Sequence, residues 1–381
     1  MTCLPDVPPS TTRLVTGPDR DGRPISLYEH ALRLHTQDPD GPLPRGGRPL
    51  PDGERHGPRP RTSPDPRTHG RDVAAVLDAH FGRPGAHASE LVDAFHGLDV
   101  PHDPNHHVAA AALRPDREHV RQTGRWLVRN STDRDAAAVG LALLASDRDE
   151  DDVPLIRTIG LLSDHFGALA ADALRRRTGG DDALLWLAQR VAGWGRVHVV
   201  EALCERGTSR AARPWLLRHG CDGHVLNGYF AGLLATAAHL HEAITGDDVD
   251  DALVDHTGRL LGIMAGCAGM GMTLASYPPA RVVLAAHAAH LARQAPSAHR
   301  YVDAAVIADH LAEERPTRGG DCAPYEQRTA LVRDYLAVLV RPEWRATVRP
   351  GLDPDVLAWF AQGVATRLGL DVLGQSSRRL D

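Results

Sequence analysis

The chain is expected to be all-α, and three observations predict it. Apolar residues make up 42% of the 381 positions but aromatics only 4%, so a core must be assembled from alanine, leucine and valine. Alanine and leucine favour helix, and runs rich in Ile, Thr, Tyr and Phe, the strand formers, are scarce. From Arg71 onward, apolar residues recur at spacings of three and four, in stretches broken by Gly, Pro and Asp.

Taken in order, residues 1–70 hold 14 of the 28 prolines, which marks them as a Pro/Gly/Arg-rich flexible N-terminal segment. Its tract Asp38–Arg67 reads as a linker, and only Ile25–His35 has helical spacing, through Leu27, Ala31 and Leu34. Residues 71–245 then read as helical repeats, and 246–381 as further helices continuing the array. Val120, Thr123, Gly124, Leu127 and Val128 make one stripe; Ala136, Val139, Gly140, Leu143 and Leu144 make the next, with Thr132 and Asp133 as capping candidates. Asp152 is placed to cap a helix carrying Leu155, Ile159 and Leu162, with Pro154 in its first turn. After the short Ser163-Asp164-His165 turn come Phe166, Leu169, Ala170, Ala173 and Leu174, one buried face. Leu184, Leu187, Ala188 and Val191 follow; the Gly193–Gly195 turn leads to Val200, Leu203 and Cys204. Next come the segments around Trp215–Leu217 and Val225–Ala238. First helices begin near Asp152, Asp181 and Ser209, an irregular repeat of roughly 28–29 residues. Beyond the Tyr277-Pro278-Pro279 break, helices are expected at about 281–294, 298–313, 325–340 and 354–369.

The stretch DVPLIRTIGLLSDHFGALAADALRRR resembles a bacterial HEAT-like repeat: an early proline, an acidic turn, then a second helix ending in arginines. LLWLAQRVAGWGRVHVVEALC and ARPWLLRHG resemble degenerate copies. The resemblance spans about residues 110–240, and the Gly-rich stretch near 262–271 departs from the pattern. It is to uncharacterised bacterial HEAT-repeat proteins, and it implies an armadillo-type α-solenoid and macromolecular binding, with no catalytic residue.

Composition excludes several activities. The sequence contains no lysine, which removes Schiff-base lysines, the P-loop lysine and the kinase phosphate lysine. The formal net charge of −6 comes without a large basic segment, which disfavours a dedicated nucleic-acid binder. Cys3, Cys204, Cys221, Cys267 and Cys322 are scattered, odd in number and form no CxxC pair, so a reducing, cytoplasmic setting is expected. Leu260–Ser276 lacks charge but carries glycines, so it reads as a buried helix, and no membrane association is expected.

No constellation of chemical groups carries a complete signature. His102, Asp103, His106 and His107 cluster, His287 and His290 sit three apart, and His239 and His241 precede Glu242, yet no HExxH is present. Gly266, Gly269 and Gly271 lack the strand that a dinucleotide loop needs. Ser131, Ser163 and Ser276 lack the nucleophile elbow, and the acidic run Asp247, Asp248, Asp250 and Asp251 lacks the glycine and glutamate of a calcium loop. No catalytic residue, metal ligand or cofactor is therefore assigned. The expected role is a non-catalytic protein-binding or scaffold module. Its candidate contact residues are Trp194, Arg190, Arg196, His198, Glu201 and Trp215, an aromatic anchor with polar neighbours. The alternatives are a HEAT-like enzyme acting on nucleic acid or its bases, using the same tryptophans and arginines, and a His-ligated metalloprotein.

Overall fold

The computed structural model describes residues 24–40, 50–53, 56, 65, 67–205, 209–313 and 325–373. Among these residues the chain forms eighteen α-helices and no strand, so it is all-α as composition predicts. Contacts divide it into two compact units, one within residues 9–206 and one within 207–381.

The N-terminal unit contains α1 (Leu27–Gln37), α2 (Arg71–Phe81), α3 (His106–Ala112), α4 (Arg117–Asn130), α5 (Arg134–Ala145), α6 (Val153–Ile159), α7 (Ser163–Arg175), α8 (Gly180–Ala188) and α9 (Gly193–Glu205). Successive pairs α4–α5, α6–α7 and α8–α9 pack together. The second members α5, α7 and α9 also pack in series, as do the first members α4, α6 and α8. The stripes read from the sequence face these contacts: Phe166, Ala170, Ala173 and Leu174 are fully buried and Leu169 is 1% exposed.

Side chains define the ends of the helices. Asp116 caps α4, and Asp133 caps α5 by accepting from the Asp135 and Ala136 amides. Asp152 precedes α6 without capping it; its carboxylate is taken by Arg125 instead. Arg177, wholly buried, donates to the carbonyls of Leu144, Ala173 and Asp149, which satisfies acceptors at the ends of α5 and α7.

The proline-rich N-terminal tract is partly tied down. In α1, opened by a Ser26–Glu29 capping box, Leu27 and Ala31 are buried, and the helix packs on α4 and α6. Within the stretch read as linker, Asp52 is buried against Arg134, so charge pairing holds a segment that hydrophobic pattern alone leaves loose. Much of the remainder of that stretch lies outside the described residues.

The C-terminal unit contains α10 (Ala212–His219), α11 (Ala231–Ala237), α12 (Leu240–Thr245), α13 (Asp251–Gly266), α14 (Ala280–Leu291), α15 (Ala298–Ala312), α16 (Tyr325–Leu339), α17 (Pro342–Gly351) and α18 (Pro354–Phe360), with a π-turn at Ala361–Ala365. The division between units falls before α10, and α10 and α11 pack on α13, across the 245/246 boundary drawn from the sequence. Helix α17 was not anticipated, because Pro342 and Pro350 obscure its pattern; Trp344 and Val348, one turn apart, are its buried anchor. No helix among the described residues is long and apolar enough to cross a membrane.

Candidate functional site

Three of the six contact residues proposed from the sequence share one face of α9. Trp194, His198 and Glu201 lie at i, i+4 and i+7, and Trp194 is 45% exposed. Its ring stacks on the His198 imidazole, with centroids 6.3 Å apart. Burial lowers the His198 pKa, with Asp103 opposing, and raises that of the Glu201 carboxyl, with Glu205 adding to the rise. Helix α9 begins at Gly193, so Trp194 stands in the first helical turn and not in the loop suggested by its flanking glycines. Gly193 supplies the positive φ of 60° that starts the turn. Gly195 lets α7 approach: a Cβ there would lie 2.1 Å from that of Ser163.

The other three residues are placed elsewhere. Arg196 is 7% exposed and donates to the carbonyls of Ala188 and Val191. Arg190 lies over the Trp186 ring at 4.4 Å and donates to the Pro39 carbonyl at 2.8 Å. Arg157 also contacts Trp186, at 4.7 Å, and His35 meets it edge-on, so this tryptophan is a packing hub for α1, α6 and α8. Trp215 is half-buried on α10, in the other unit.

The histidines rearrange relative to their order in sequence. The His106 and His107 rings meet at a tilt of 40° with centroids 3.9 Å apart, and the His107 Nε2 lies 3.0 Å from the Arg67 carbonyl. His102 departs from them and meets His165 of α7, with ring centroids 4.0 Å apart. His102, Asp135 and His165 bring one donor atom each to within 4.8 Å of one another. A second group with the same closeness comprises Asp52, His56 and Asp133. The His56 Nε2 lies 3.1 Å from Asp133 Oδ2 and 3.3 Å from Asp52 Oδ2, and its Nδ1 lies 3.7 Å from Asp135 Oδ2. Asp135 therefore sits between the two groups. Arg134 grips Asp52 with Nε at 3.0 and 2.9 Å from the two carboxylate oxygens, and its backbone amide also donates to Asp52.

His239 and His241 both approach Glu242, with Nδ1 and Nε2 at 3.5 and 4.0 Å from its Oε1, whereas His287 and His290 do not assemble. His287 is buried and its Nδ1 lies 2.9 Å from the Tyr335 hydroxyl; burial lowers its pKa to about 4. His290 Nε2 lies 3.1 Å from the Ile244 carbonyl. Cys204 is buried, which pushes its thiol up to about 12 and leaves it no thiolate chemistry near neutrality.

Sequence inspection missed Asp52, His56, Asp135 and His165 as a group. No local motif joins them; only Asp135 and His165 share a signal, as polar residues in the first turns of α5 and α7, which pack together. Comparison with known proteins yields no matching family model, curated protein or solved structure.

Proposed function

We propose that this chain is a non-catalytic helical binding module, built from HEAT-like helix pairs, that docks a protein partner on the α9 face around Trp194. The observation that carries the proposal is the 45% exposure of Trp194, a large aromatic stacked on His198 at a helix start fixed by the α7–α9 crossing. A rigid aromatic of this kind offers much contact area at little entropic cost and is enriched among interface hot spots. Exposed Asp103, which faces His198, exposed Asp164 beside Gly193 and half-buried Glu201 make the surroundings acidic. The fitting partner is a protein with a basic, apolar-centred patch. The series packing of α5–α7–α9 and of α4–α6–α8 supports the solenoid reading, because helix pairs that share a continuous core stack in this way.

The nucleic-acid alternative gains nothing from the site. Arg196 bonds to interior carbonyls and Arg190 is engaged with Trp186 and Pro39, so neither presents a phosphate-binding guanidinium beside Trp194. Affinity capture from cells of the source organism, with full-length wild type and Trp194→Ala as baits, tests the proposal. The expected result is a partner that wild type retains and the variant loses, at an unchanged melting temperature. Retention of the same proteins by both baits refutes it.

A further inference from the structure

We infer that His102, Asp135 and His165 form a binding site for one divalent transition-metal ion, a property separate from partner docking on α9. The three donors come from three elements distant in sequence. His102 lies in the loop before α3, bracketed by Pro101 and Pro104; Asp135 is in the first turn of α5, and His165 in the first turn of α7. Packing of α3 on α5 and of α5 on α7 sets their separation, so the group belongs to the tertiary fold and not to a local run of polar residues.

The geometry fits a shared ion. Metal–nitrogen and metal–oxygen bonds of about 2.0–2.2 Å place neighbouring donors roughly 3–3.5 Å apart around a four- or six-coordinate centre. Donors already within 4.8 Å of one another reach that arrangement by small side-chain rotations. The imidazole rings of His102 and His165 have centroids 4.0 Å apart and are tilted by 57°.

The second group, Asp52, His56 and Asp133, lies beside the first, and its carboxylates serve the fold. Asp52 is held by Arg134, and Asp133 Oδ1 caps α5. His56 links this group to Asp135, with its Nδ1 3.7 Å from Asp135 Oδ2, and such neighbours of a ligating carboxylate tune the affinity of a site.

Ligand chemistry narrows the class. Two imidazoles and one carboxylate suit Zn²⁺, Fe²⁺, Co²⁺ or Mn²⁺, whereas Mg²⁺ and Ca²⁺ prefer all-oxygen sites. Both histidines are half-buried, so the ion would keep coordination positions open to water or a ligand.

The test uses the untagged full-length protein, stripped with chelator and titrated with Zn²⁺ and Co²⁺. Bound metal is counted by elemental analysis and the Co²⁺ ligand field read by absorption. One equivalent per chain is expected, with His102→Gln and Asp135→Asn weakening binding at least 100-fold. His56→Gln keeps the stoichiometry with affinity about 10–100-fold lower, and His106→Ala leaves both unchanged. Circular dichroism confirms that each variant is folded; His102→Gln, in a loop and half-buried, is the variant expected to fold even if Asp135→Asn does not. Wild type binding less than a tenth of an equivalent of either ion overturns the inference. So does a folded His102→Gln that binds as tightly as wild type.

Discussion

Replacing Gly140 by alanine sets two physical effects against each other, and the structure decides the sign. Alanine is the better helix former by about 1 kcal/mol, so a solvent-facing Gly140 would gain stability from the change. In the α4–α5 crossing the added Cβ would fall 2.8 Å from Leu127 Cβ, 3.0 Å from the Val128 nitrogen and 3.1 Å from the Gly124 carbonyl oxygen. Carbon atoms are best separated by about 3.5–4.0 Å, so relief requires the helices to part by roughly 1 Å. Two of the three obstructing atoms are backbone, and no rotamer change moves them. Overpacking of this kind costs about 1–3 kcal/mol, and the parting also loosens Leu127, Val128 and Leu144, all fully buried. The expected net effect of Gly140→Ala is a loss of about 1–2 kcal/mol, seen as a melting temperature lower by about 2–8 °C. Gly262→Ala is the control: in α13 its new Cβ would meet nothing nearer than Val306 Cγ1 at 4.0 Å, so only the propensity gain remains. Thermal and urea unfolding of the full chain, followed by far-ultraviolet circular dichroism, reads both. Stabilisation by Gly140→Ala comparable to that by Gly262→Ala would show that α4 and α5 do not cross at this glycine.

Other substitutions probe the same frame. Leu169→Ala, at a position 1% exposed between α5 and α9, should cost about 2–5 kcal/mol; an unchanged unfolding midpoint would place that face in solvent. Arg177→Lys keeps the charge but loses the planar fork, leaving at least one of the Leu144, Ala173 and Asp149 carbonyls unbonded, at about 1–3 kcal/mol; wild-type stability would refute the capping role. His287 stays neutral in the folded protein down to about pH 4, whereas the unfolded chain protonates it near the ordinary 6.5, so stability present above pH 6.5 is lost as the pH falls towards 4. That loss amounts to about 3 kcal/mol at most, and His287→Gln should flatten the melting-temperature profile across this window; an identical profile would rule His287 out as its source.

Helix positions were legible in the sequence where periodicity and punctuation agreed. The α4 and α5 stripes, Gly124 and Gly140 included, are buried as their spacing requires, and the two glycines, one on each helix, face each other where the backbones cross. Pro154 marked the first turn of α6 because a missing amide costs nothing there. Legibility failed where tertiary charge overrides local pattern. Asp52, in a tract too rich in proline to look ordered, is buried because Arg134 reaches it from another element. Asp152 looks like a cap from its position, but Arg125 claims its carboxylate. The site was half legible: Trp194, His198 and Glu201 share a face by simple helical arithmetic, while the inward direction of Arg196 depends on how α8 and α9 pack.

The first turns of α5, α7 and α9 explain why no single window of sequence disclosed the chemistry. These three helices pack in series. Asp135 meets His165 at the α5–α7 step, and Ser163 touches Gly195 at the α7–α9 step, so their N-terminal turns line one edge of the unit. That edge carries Asp135 on the first helix, His165 on the second and Trp194 on the third. Each helix contributes one polar or aromatic side chain, which in isolation looks like a cap, a turn residue or a stray aromatic. Helices packed in series turn residues roughly thirty positions apart into neighbours, so a site can be spread over successive helix pairs with no motif inside any of them. The same stacking keeps each contributor on a helix held by its buried stripe, Ala136 and Val139 on α5, Phe166 and Leu169 on α7, Val197 and Val200 on α9. The proposed metal site and the proposed docking face therefore use separate side chains along one edge, and Trp194→Ala and His102→Gln should each abolish one property and spare the other.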